Sequence, residues 1–115
     1  MTATWDMRVW DDGVSRCTLM TDAVLDPAYT RGSPVYAHGY VHLMWVGEGG
    51  GTWQDFNYTN VRLRRGDTTV HAYMSFETSG AGYYIVDEIR YDLTSVRGEL
   101  LSSKVVSTTN TCANR

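Results

Sequence analysis

Residues 35–46 carry the densest chemistry in the chain. Tyr36, His38, Tyr40 and His42 recur at every second position. In an extended strand that spacing puts all four on one face. Phenol and imidazole rings combine flat apolar area with a hydrogen-bonding edge, and they lose little entropy when fixed. A sugar, a flat aromatic ligand and a partner protein all suit that chemistry. The other face, Val35, Ala37, Gly39, Val41, Leu43 and Trp45, reads as core.

The mixture recurs twice. Thr69, His71, Tyr73 and Ser75 alternate with Val70, Ala72, Met74 and Phe76. Tyr84, Glu88, Arg90 and Asp92, with Val86 among them, alternate with Tyr83, Ile85, Asp87, Ile89, Tyr91 and Leu93. If the three segments share a sheet, one wall gathers Tyr36, His38, Tyr40, His42, His71, Tyr73, Tyr84, Glu88 and Arg90 as a ligand-binding set. A packing role competes, because tyrosine fits any half-buried pleat. Gly39 signals a bulge or a close backbone approach, and a bulge would exchange the faces.

Other chemistry is sparse. His38 and His42 on a strand lie about 13 Å apart, too far for one metal ion. Asp11-Asp12-Gly13 lacks the alternating ligands of a calcium loop and reads as a turn. Gly47 to Gly51 matches a phosphate loop only in glycine content, so no metal or cofactor is expected. Arg62, Arg64 and Arg65 read as a solvated edge that resists aggregation, Arg65-Gly66-Asp67 as a hairpin turn, and Asn57-Tyr58-Thr59 as a glycosylation acceptor only in a eukaryotic secretory route. Ser75, His71 and Glu88 can be assembled as a catalytic set on paper, but no spacing singles them out. Asp87, Glu88 and Asp92 as glycosidase carboxylates suffer from alternating faces and from Arg90.

The elements that must position these groups are strands. Period-two patterning with turn residues between predicts seven: near 5–10, 14–25, 35–46, 52–64, 68–77, 83–94 and 99–107. Residues 26–34, with two prolines, form a loop. Short connections after residue 50 predict antiparallel hairpins. The best helical candidate, 20–28, is cut short by Pro27. The expected fold is a single all-β domain over residues 1–115, an antiparallel, jelly-roll-like sandwich of six to seven strands, with a barrel as alternative.

Cys17 and Cys112 lie near opposite ends. A bridge would close roughly 100 residues, worth about 4–5 kcal/mol in the chain-entropy picture. The bland alternative is two buried thiols; the polar tail 107–115, with little apolar material to anchor it, favours the bridge. The basic residues are nine Arg and one Lys, Lys104, a bias given no mechanistic weight.

Net charge is −3 over 115 residues, so no global field draws nucleic acid. No run reaches the length of a membrane span. Met1 to Asp6 has neither the positive start nor the apolar stretch of a signal peptide, which points to no export by that route or to a mature form with an added Met. The first expectation is a non-catalytic module that binds a carbohydrate or protein partner outside the cytoplasm, extracellularly or on a virion surface, with the cytoplasm left open. The second is a structural subunit of a homo-oligomeric virion, tail or fibre assembly. The third is a small enzyme with His71 or His38 as base.

Overall fold

A computed structural model describes residues 2–11, 15–47, 49–77 and 82–113, with side chains described at 2, 3, 17–47, 49–75 and 82–112. The turn expected at 11–13, the closing segment 78–82 and the faces assigned to Trp5 through Trp10 fall wholly or partly outside these residues.

Eight strands form among the described residues: β1 (Thr2–Asp11), β2 (Ser15–Val24), β3 (Val35–Val46), β4 (Gln54–Leu63), β5 (Thr69–Glu77), β6 (Tyr83–Ser95), β7 (Leu100–Val106) and β8 (Asn110–Ala113). They make two antiparallel sheets, β1-β2-β5 and β4-β3-β6-β7, with β8 also on β6. The result is an all-β sandwich of three strands on five, not closed into a barrel.

The expected strands fall at their places, and β8 is added from the tail. Its origin lies in the length of β6. β7 pairs only with Ile89 to Thr94, so the first half of β6 keeps a free edge, which β8 fills along Tyr83 to Val86. Disulfide Cys17–Cys112 joins β2 of one sheet to β8 of the other, closing a sequence separation of 95.

Two of the expected hairpins are arches. β4 leads to β5, and β5 to β6, across the sandwich rather than along one sheet. Residues 64–68 hold the first arch. Gly66 adopts φ 91°, Arg64 N–H donates to Asp67 Oδ2 at 2.9 Å, and Thr30 Oγ1 donates to the Asp67 carbonyl at 2.7 Å. Arg65-Gly66-Asp67 is therefore an inter-sheet corner, with its carboxylate engaged. The 26–34 loop holds one 3-10 turn, Pro27–Thr30, capped by Asp26 Oδ1 accepting from Ala28 N–H at 2.9 Å.

The core lies between the sheets: Cys17, Leu19, Ala23, Val41, Val86, Ile89, Tyr91, Leu93 and their neighbours. At its centre Thr21 Oγ1 accepts from Tyr58 Oη at 2.9 Å and also bonds the Tyr91 hydroxyl. The hydroxyls of buried Thr21 and Tyr91 and of half-buried Tyr58 thus satisfy one another where unpaired ones would be costly. Burial also raises the Tyr58 pKa.

Gly39 makes this packing possible. Opposite it β4 carries an extra residue: Gly39 pairs with Thr59 and Tyr40 with Asn57, leaving Tyr58 as the bulge. A Cβ at Gly39 would sit 2.7 Å from Tyr58 Cζ and 2.6 Å from Thr59 Cγ2. The bulge lies on the partner strand, so the inside–outside alternation of β3 is preserved through Leu43.

Candidate functional site

β3 presents Tyr36, His38, Tyr40 and His42 on the outer face of the five-stranded sheet. Each is half-buried between fully buried neighbours. Register fixes what stands beside them. On β4 the partners are Arg62, Asn60, Asn57 and Asp55; on β6 they are Thr94, Asp92, Arg90 and Glu88. Three columns of polar and aromatic side chains therefore run side by side.

A hydrogen-bonded row crosses them at His38. Its Nδ1 pairs with Asn60 Oδ1 at 2.5 Å and its Nε2 with Thr94 Oγ1 at 2.9 Å. Asn60 and Asn57 exchange amide hydrogen bonds of 3.2 and 3.3 Å. Both ring nitrogens of His38 are engaged, so this histidine is a strut.

His42 stands in a different setting. β6 carries an extra residue here: His42 pairs with Glu88 and Leu43 with Val86, so Asp87 is the bulge. A bulge re-aims side chains, and Asp87 Oδ1 accepts from His42 Nδ1 at 2.5 Å. The hydrogen bond to Asp87 raises the His42 pKa, with the charges of Asp87, Asp55 and Glu88 adding and partial desolvation opposing. Trp53 stacks on the imidazole, centroids 4.5 Å apart and planes 9° from parallel. At 40% exposure it still offers ring surface to solvent.

Tyr40, His42, Asp55, Asn57, Glu88 and Arg90 enclose an open depression of about 370 Å³. The Arg90 guanidinium covers the Tyr40 ring, 4.4 Å from its centroid. Arg90 Nε lies 3.3 Å from Asp92 Oδ2, an ion pair, yet this buried N–H makes no hydrogen bond among the described residues. Ser103 Oγ in turn donates to Asp92 at 2.6 Å. The depression thus holds acceptors, donors and ring edges, but among the described residues no serine, threonine or cysteine nucleophile lines it. Among the described residues no three His, Cys, Asp or Glu side chains converge as metal ligands.

The expected set divides. Tyr36, His38, Tyr40, His42, Glu88 and Arg90 share this wall. His71 and Tyr73 do not: β5 belongs to the other sheet, where His71 pairs with Asp22 of β2 and Tyr73, 68% exposed, faces solvent on the opposite side. The assumption of one shared sheet fails because β5 arches away from both β4 and β6. Tyr84 is on neither wall. The Asp87 bulge shifts the phase of β6, so Tyr84 and Val86 point inward with Ile89, Tyr91 and Leu93. Tyr84 packs against Trp45, centroids 4.6 Å apart, and burial raises its pKa.

The sequence does not mark Asp55, and it marks Asn57 only as a glycosylation acceptor; it does not mark Trp53, and it offers Asp87 only as a glycosidase carboxylate. Pairing strand 52–64 against 35–46 across the glycine turn supplies the first two. No local signal marks Asp87 as a bulge.

No protein-family model matches the chain, and no curated protein matches it. Among solved structures it is similar to a crystal structure of a protein from Archaeoglobus fulgidus, 12% identical, with a TM-score of 0.47 over 100% of this chain and 97% of that one.

Proposed function

We propose that the protein is a non-catalytic binding module that holds a carbohydrate on the outer face of β4, β3 and β6. The depression between Tyr40, His42, Asp55, Asn57, Glu88 and Arg90 carries this reading. Vicinal hydroxyls need paired acceptors and fixed donors, which the two carboxylates, the Asn57 amide and the Arg90 fork supply. The C–H face of a sugar needs an exposed ring alongside, which Trp53 supplies. At about 370 Å³ the depression is of small-molecule size. A disulfide between sheets supports work outside the reducing cytoplasm.

Glycan-array binding followed by calorimetry tests it. Tyr40→Ala and Asp55→Asn should each weaken a retained glycan by about tenfold or more, roughly the loss of one charge-assisted contact. Tyr73→Ala, on the far wall, should change nothing. Retention of no glycan, or equal loss with Tyr73→Ala, rejects the reading. A protein partner held by the same face would instead show as loss of a protein contact with the same two variants.

A second reading, a subunit of a homo-oligomer, is favoured by Val96, Leu100, Leu101 and Val105, all exposed at or beside edge strand β7. Light scattering at micromolar concentration separates the two, since a stable monomer rejects assembly.

A further inference from the structure

Among the described residues, the two sheets do not fill the space between them at one corner. There Leu43, Trp45, Gln54, Phe56 and Tyr84 of the five-stranded sheet, with Thr52, face Met74 of β5 across a cavity of about 380 Å³. The corner lies inside the sandwich, behind the outer wall that carries His42. Phe56, 39% exposed, marks where it opens.

We propose that this inter-sheet cleft is a binding site for a small, neutral, fused-ring aromatic molecule that enters edgewise. Its chemistry follows from the lining. Among the described residues no charged side chain contributes, so an ionised group would lose its hydration without a partner. Trp45, Phe56 and Tyr84 supply ring surfaces for offset or edge-to-face contact, and Met74 supplies a polarisable sulfur. Among the described lining residues the polar groups are the Thr52 and Gln54 side chains, the Tyr84 hydroxyl and the Trp45 indole N–H. They can bond one hydroxyl or N–H on the ligand. An apolar cavity of about 150 Å³ already takes up benzene, so this larger one suits a larger ring system.

The cleft is preformed because its back wall cannot collapse into it. A Cβ on Gly82 would lie 2.1 Å from Trp45 Cζ2, and one on Gly51 would lie 2.1 Å from the Trp45 carbonyl oxygen. Backbone at these two glycines therefore presses directly on Trp45. Tyr84 braces the indole at 57°. Rings fixed in this way leave the gap open and retain their area for a ligand.

The probe is 2-naphthol, with 2-naphthoate as its charged counterpart, followed by tryptophan fluorescence and thermal unfolding. The intact protein should bind 2-naphthol with a rise in Tm and bind 2-naphthoate more weakly by about tenfold or more. Met74→Trp, which fills the cleft, should abolish binding. Gln54→Trp blocks the exposed mouth without touching the buried core, and it should do the same if the first variant fails to fold. Tyr40→Ala should leave 2-naphthol binding unchanged, which separates this site from the outer depression. No binding at millimolar probe, equal binding by the Gln54→Trp variant, or no preference for the neutral probe overturns the proposal.

Discussion

His42 is the residue whose charge state the fold controls most directly. Its folded pKa stands above the ordinary 6.5 because Asp87 accepts its Nδ1–H. A raised histidine pKa stabilises the folded state fully below the unfolded value, and that contribution is lost as pH rises through the folded value. Stability should therefore decline as pH rises above about 6.5 by this route, and Asp87→Asn should flatten that slope and move the His42 NMR titration back toward 6.5. A titration unmoved by Asp87→Asn would show that Asp55 and Glu88 set the charge instead. Gly39 gives a second prediction. Gly39→Ala places a methyl 2.6–2.7 Å from Thr59 and Tyr58, and it should cost about 1–3 kcal/mol in denaturant unfolding as the ring is displaced. The alternation at 35–42 is readable because each of Val35, Ala37, Gly39 and Val41 is followed by a polar ring. The bulges at Tyr58 and Asp87 are not, because an inserted residue leaves no compositional mark. One unread residue in β6 was enough to move Tyr84 from wall to core.

At the scale of elements, strand positions follow from composition, whereas strand partners do not. The segments 52–64 and 68–77 are joined as tightly as a hairpin, yet they belong to different sheets. Turn residues alone cannot separate a hairpin from an arch; the Thr30 bond to the Asp67 carbonyl and the Leu25 N–H bond to the Thr68 carbonyl come from a distant loop. β8 was equally hidden, since four polar-flanked residues become a strand only where β6 leaves an edge unpaired. Its anchor is the bridge to β2. Cys17→Ser with Cys112→Ser should lower unfolding free energy by about 2–5 kcal/mol. A pair of variants as stable as the parent would mean that β8 holds by its ladder alone.

Over the whole molecule, the sandwich measures 50 × 27 × 20 Å. A small ligand cannot reach both Tyr40 and Tyr73 on opposite walls, so the tyrosine- and histidine-rich strands serve separate surfaces. The β7 edge bears on assembly. Lys104 pairs in register with Tyr91 and so falls on the inner face at this edge, exposed. A charge in that position discourages sheet-to-sheet association. Lys104→Val should promote self-association, read as a rise in light-scattering mass with concentration; an unchanged mass would place the protection elsewhere. The sulfur bridge has a further, mechanical consequence. Once β1 has been peeled from β2 and β8 from β6, a pull on the two chain termini passes through the Cys17–Cys112 bond and not through the chain between them, so only the segments outside the bridge can reel out. Residues 18–111, with both the depression and the cleft, stay slack until the covalent link is reduced.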